Sequence, residues 1–227
     1  MKSKNTKKIR IAIDATAGSG STSLALKLAR HYKLRYLDTG KVYRWCALQI
    51  INKKPKNKIK FLNKKIKNLS LKKLQDKKLI DDKVAQVTSQ IAKDPIVRKL
   101  VYNFQKNIAY KIPKGFRGSV LNGRDITYKI IPDATFKFYV TASIFERSKR
   151  RKKELKKLGK KVTFKEIMKS LAKRDKSDKF RKYSPLKKMP DSLLINTTRL
   201  TITGGFLKIK KIIDRKLNKY GNDIKTR

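Results

Sequence analysis

Two hydrophobic rhythms alternate along this chain. Short apolar runs, each ending at a glycine or a polar cluster, read as buried strands: residues 9–13, then "LRYLDTG", "GSVLNGRD", "FKFYVTAS" and "SLLINTT". Between them lie longer stretches whose apolar positions recur every three or four residues. In residues 21–32, for example, Leu24, Leu28 and Ala29 share one side. The same spacing predicts helices over residues 42–51, 144–158, 163–173 and 203–216, with a turn at Gly159, and a long amphipathic segment over residues 84–110 interrupted at Pro95. Strand–helix alternation predicts an α/β fold: a central parallel sheet with helices on both faces. No internal repeat is visible, and 227 residues suit a single domain with an appended lobe.

In such sheets ligands gather beyond the C-terminal ends of the strands, so the polar clusters there carry the chemistry. "IAIDATAGSGSTSLALKLA" reads as strand, glycine turn and helix start, the layout that cradles phosphate on backbone N–H groups. Measured against G-x-x-x-x-G-K-[ST], Gly18, Gly20 and Thr22 fit, Ala15 replaces the first glycine, and Ser21 stands where the lysine belongs. "LDTGKVYR" opens a helix with Asp38 and Thr39, which suit an N-cap, followed by Tyr43 and Arg44. "TSQIAKDPIVR" brings Ser89 and Arg98 to either side of a proline turn. "LNGRD" places Arg124 and Asp125 at a strand end, where a guanidinium can grip a phosphate or a base edge. In "RDKSDKFR", helical spacing would put Arg174, Asp178 and Arg181 on one face. Trp45 and Cys46 read as core, and His31 as a surface residue favoured by the helix C-terminus.

Charge changes the picture less than its size suggests. With 63 Lys and Arg against 16 Asp and Glu, the formal net charge is +47. The cations are mostly lysine and spread over the whole length. Two readings stand: nucleic-acid binding through counterion release, or compositional drift of an AT-rich genome, with nonspecific nucleic-acid affinity following from the charge in either case. One cysteine and one histidine exclude an internal disulfide and a Cys/His metal site. The basic N-terminus lacks the apolar run of a signal segment, and no stretch has the length of a membrane span. The expectation is a cytoplasmic protein with no membrane partner.

Taken together, "IAID-x4-SGS", "LDTGxxYR", "VAxxxSQIAxxPxVR", "GRD", "PDAxxKFYVTASxxERxxRR" and "KRDxxDxxR" occur in the order found in bacterial cytidylate kinases, and the chain resembles that family from about residue 11 to 213. The resemblance implies a P-loop NTPase-like three-layer fold in one nucleoside monophosphate kinase domain, with a nucleotide-binding insert at about residues 45–110 and a helical lid at about 147–183. It implies a monomer that moves the ATP γ-phosphoryl to CMP or dCMP with Mg2+. Ala15, Thr16, Ala17, Gly18, Ser19, Gly20, Ser21, Thr22 and Ser23 would form the ATP loop, with Thr22 beside the metal. Thr39, Tyr43, Arg44, Ser89, Arg98, Arg124, Asp125, Asp178 and Arg181 would bind the acceptor, Asp178 and Ser89 reading cytosine. Arg147, Arg150, Arg151 and Arg174, with Arg124, would serve the transferring phosphoryl. Two departures stand out. Residues 52–83 are shorter than the insert of typical bacterial members, so their small extra sheet is expected to shrink to a helical remnant. The lysine is missing, as it is from archaeal relatives with a GSGTTT loop. A single placed cation is worth about 10³- to 10⁵-fold in phosphoryl transfer, so reduced or redistributed activity is expected. The alternative is a weakly active or non-catalytic P-loop protein that binds RNA through its charge.

Overall fold

The computed structural model describes residues 8–222; the first seven residues of the basic N-terminal stretch and those after 222 lie outside it. Five strands, β1 (Ile9–Ala15), β2 (Leu34–Asp38), β3 (Gly118–Gly123), β4 (Phe136–Thr141) and β5 (Leu193–Asn196), form one sheet in the order β2-β3-β1-β4-β5. Every pairing is parallel. The expected α/β layering is therefore what the chain adopts. β1 and β3 are buried almost throughout, which is why they read as unbroken apolar runs.

The helices are α1 (Ser21–Tyr32), α2 (Thr39–Lys53), α3 (Lys58–Lys67), α4 (Asp82–Ile91), α5 (Pro95–Tyr110), α6 (Ile144–Lys157), α7 (Phe164–Phe180) and α8 (Ile202–Asn222). Alternate residues of β1 feed two cores. Ile9, Ile11, Ile13 and Ala15 pack with Leu24 and Leu28 of α1 and Ile209 and Ile213 of α8. Ala12, on the other face, joins α2, α3, α5 and the π-turn Ile126–Ile130. A third, small cluster sets Ala17, from the turn after β1, against Leu155 of α6 and Ile167 and Leu171 of α7.

Residues 52–83 hold α3 and two 3-10 turns, Lys72–Gln75 and Lys77–Ile80, and no strand: the insert is helical, as expected. Pro95 begins α5 instead of kinking one long helix, because Asp94 caps the N–H groups of Ile96 and Val97. Trp45 and Cys46 are buried, and burial pushes the Cys46 thiol up to about 12, leaving it inert. His31 is exposed at the end of α1, edge-on to Tyr32 and Phe206.

Candidate active site

The glycine turn between β1 and α1 is built by cations that face its oxygens. Gly18 and Gly20 have φ of 75° and 85°, a conformation that favours glycine, and Gly20 caps α1. A Cβ on Gly20 would come within 3.1 Å of Ile202. Ala15, in contrast, is the last residue of β1, in register with Val140 and fully buried, so its methyl costs nothing there. Arg147 donates to the carbonyls of Ala17 (2.9 Å) and Ala142 (2.9 Å) and pairs with Asp175 (2.6 Å). Arg150 reaches the carbonyls of Ser19 (3.3 Å), Thr197 (2.7 Å) and Leu200 (3.3 Å). With its oxygens held from behind, the turn and the start of α1 present N–H groups that a helix terminus leaves unpaired. No acidic residue stands in the first turn of α1. Such a cradle is suited to an anion.

Beside the cradle three side chains meet. The Thr22 hydroxyl donates to Asp38 (3.3 Å) and accepts from the Asn122 amide (3.3 Å). Asp38 and Asn122 are register partners at the ends of β2 and β3. The Asn122 side-chain oxygen is buried without a hydrogen-bond partner among the described residues. Hydroxyl, carboxylate and amide oxygens are the donors a hard divalent cation takes, commonly alongside substrate phosphates and water. No group of three or more His, Cys, Asp or Glu that could hold a metal occurs among the described residues, so an ion here would share its coordination with the nucleotide.

The third part is a cluster of arginines at the exit of β3. Arg124 grips Asp178 (2.7 Å), which also faces Arg181 (3.6 Å) and, further off, Arg174 (3.9 Å). Burial works against the Asp178 charge, but Arg124, with Arg174 and Arg181, holds its pKa below the ordinary carboxylate value. Half of the Arg174 side chain reaches solvent, yet its surroundings, then the like charges of Arg124, Arg44 and Arg151, push it down to about 10. A second buried pair, Arg98–Asp125 (2.5 Å), stands alongside, with the Arg98 guanidinium over the Tyr43 ring and on the Ala92 carbonyl. Arg44 donates to the Leu79 carbonyl (2.7 Å). These ion pairs fill the recess; a cavity of about 440 Å3, lined by Arg35, Asn107 and Lys111, lies at the opposite, N-terminal ends of the strands.

Most of the sequence-derived positions thus converge. The structure changes three of them. α7 runs on to Phe180, and Arg181 follows it in extended conformation (φ −66°, ψ 142°), so Arg174, Asp178 and Arg181 do not share a helix face; Arg181 returns to Asp178 because the chain turns back, its Nε donating to the Ser184 carbonyl. Arg147 is buried with all three nitrogens engaged by the protein, and Arg150 is largely committed to backbone oxygens, which makes both supports of the turn. Arg151 pairs with Glu154 (2.8 Å), and Ser89 is exposed on α4. Thr39 is buried, its hydroxyl on the Asn122 carbonyl (3.0 Å).

Two participants were not picked out from the sequence, Asn122 and Asp175; a third, Asp14, reads from the sequence as a carboxylate that could orient the acceptor phosphate's surroundings, and the structure gives it another task. Asp14 is fully buried on β1 and accepts from the N–H groups of Ile126 (2.7 Å) and Thr127 (3.0 Å) and the Thr127 hydroxyl (2.6 Å). It anchors the π-turn that follows Arg124 and Asp125. A carboxyl inside the β1 hydrophobic run was the available signal.

Comparison with known proteins now decides the family. The sequence model of the family described as Cytidylate kinase matches residues 11–215. The chain belongs to the cytidylate kinase family. Proteins named cytidylate kinase from Bartonella tribocorum, Mesorhizobium japonicum and Brucella ovis are 38%, 36% and 35% identical to it, over 90%, 90% and 92% of this chain and 94%, 93% and 94% of their own length. Among solved structures, an uncharacterized protein from Eubacterium ventriosum superposes with a TM-score of 0.54 at 19% identity, over 91% of this chain and 99% of that one, which supports the fold alone. Among the described residues no helix is long and apolar enough to cross a membrane.

Proposed function

We propose that the chain transfers the γ-phosphoryl group of ATP to CMP or dCMP, releasing ADP and CDP or dCDP. The observation that carries this reading is the meeting, at the strand ends, of an anion cradle with an arginine cluster that pairs with Asp125 and Asp178. Membership of the cytidylate kinase family supports it.

In this reading the turn from Ala15 to Ser23 holds the triphosphate, and Mg2+ bound to that nucleotide neutralises developing phosphate charge. Thr22, Asp38 and Asn122 are the residues that would face the ion. Arg44, Arg98, Arg124 and Arg181 take the acceptor phosphate; Asp178 and Ser89 take the cytosine, with Asp125, Tyr43 and Thr39 supporting them. Entry of CMP exchanges part of the Arg124–Asp178 contact for contacts to substrate. An acceptor phosphate oxygen then attacks the γ-phosphorus as its bond to the ADP oxygen breaks, while Arg124, Arg151 and Arg174 balance the charge. Arg147 and Arg150 act at one remove, by fixing the cradle. The insert over about residues 45–110 and the lid over about 147–183 would close on the two nucleotides, in a monomer of the cytoplasm. Weak binding to nucleic acid follows from net charge and would fade with added salt.

A coupled assay of ADP release with ATP, Mg2+ and each of CMP, dCMP, UMP and AMP tests the proposal. Turnover with the cytosine nucleotides and little with the others is expected. Equal turnover with all four, or none with CMP and dCMP, overturns it.

A further inference from the structure

The cradle lacks the cation that Ser21 would carry as lysine, and three arginines around it already hold protein partners. Arg147 has three protein partners, Arg150 holds backbone carbonyls behind the turn, and Arg124 is bound to Asp178 and the Gly123 carbonyl. One cation on an adjoining element differs from these. Lys41 stands in the first turn of α2, partly buried, with no ion pair to any of the described residues. A lysine there opposes the helix dipole, which favours anions at that end, and beyond the Asp38 N-cap the first turn of α2 carries no acidic residue.

Its place is set from both sides. Asp38, the N-cap of α2, accepts a hydrogen bond from the hydroxyl of Thr22, the residue next to Ser21. Thr39 binds the carbonyl of Asn122, so the start of α2 is fixed against the end of β3. Arg44, one turn beyond Lys41 and on the same face of the helix, contributes to the arginine field around Arg174. Lys41 therefore stands three residues past the N-cap that meets Thr22, on the helix that also carries Arg44.

We propose that Lys41 supplies, from α2, the charge that Ser21 does not, acting on the γ-phosphoryl group during transfer. The inference rests on the kinase reading above. A mobile ammonium reaching in from the acceptor side would touch phosphate only when ATP and acceptor helix are both in place, which ties charge stabilisation to the loaded state. Arg199, exposed in the turn after β5, is the competing source; it adjoins Thr197, behind the Ser19 carbonyl, and not the Thr22 side of the cradle.

The test is a set of variants measured for CMP phosphorylation and for ATP and AMP binding by calorimetry: Lys41→Met, Lys41→Arg, Arg199→Met, and Lys41→Met combined with Ser21→Lys. Lys41→Met is expected to lower kcat about 10²- to 10³-fold, with Lys41→Arg retaining most of it. It should weaken ATP more than AMP, leave CMP binding and the melting temperature unchanged, and be rescued by Ser21→Lys. A structural role for Lys41 would move stability and show no rescue by a lysine on α1. If wild type phosphorylates CMP and Lys41→Met does so within threefold, or if Arg199→Met carries the loss, the inference is overturned while the kinase reading stands. If wild type phosphorylates no cytosine nucleotide, both fall.

Discussion

Asp14 should make part of this protein's stability run against the usual direction with pH. Its carboxyl is fully buried, and burial, opposed by the hydrogen bonds from Thr127 and Ile126 and reinforced by the Asp125 charge, raises its pKa from the usual 3.8 to about 6. A carboxyl raised on folding favours the protonated folded state. Its contribution is therefore fully present below about pH 4 and is lost as pH climbs through about 6. The difference between the two values corresponds to roughly 3 kcal/mol. Asp178, held low by its arginines, has the opposite sign, but its contribution disappears only below its already depressed pKa, so the two effects separate. Urea unfolding of wild type and Asp14→Asn at intervals from about pH 4.5 to 7.5 measures this. Relative to the variant, wild type should gain most of that 3 kcal/mol as pH falls across the window, and the Asp14 carboxyl carbon should titrate near pH 6 by NMR. Parallel stability curves, or titration near pH 4, would refute the reasoning.

Other consequences follow from the same geometry. Asp125→Ala strands the Arg98 guanidinium, a side chain only 10% exposed, and should cost about 3–5 kcal/mol, seen as a melting temperature about 6–20 °C lower without any nucleotide; replacing both partners together should cost less than the sum of the single changes. Arg147→Met leaves two carbonyls and Asp175 without their donor, and should weaken ATP binding more than CMP binding in calorimetry. In Gly123→Ala the new methyl would lie 2.2 Å from the Thr39 hydroxyl oxygen, so the Thr39–Asn122 bond must break; a loss of about 1–3 kcal/mol in chemical denaturation is expected.

The sequence carried the layering of the fold because its signals are local. Apolar runs marked β1 and β3, Gly18 and Gly20 marked the turn, and Pro95 marked an interruption, all from neighbouring residues. What escaped depended on distance along the chain. The partners of Asp14 lie 112 and 113 residues away, and the Ala17 carbonyl that occupies Arg147 lies 130 residues away, so a run of arginines on α6 looked available when its members were already engaged. Arg181 was misplaced for a smaller reason: a helical pattern does not reveal where the helix stops, and Arg181 falls one residue past the end of α7.

The two cores on opposite faces of the sheet divide the molecule's motions as well as its volume. The cradle's helix, α1, belongs to the layer with α8, whereas Tyr43 on α2 and Val97 on α5, beside the arginine cluster, belong to the other. Each nucleotide then quiets a different half of the protein. Amide exchange should slow chiefly in α1 and α8 when ATP binds alone, and chiefly in α2, α4 and α5 when CMP does; only the ternary complex should still the α6–α7 hairpin, whose small cluster around Ala17 adjoins the first layer while Asp178 reaches the second.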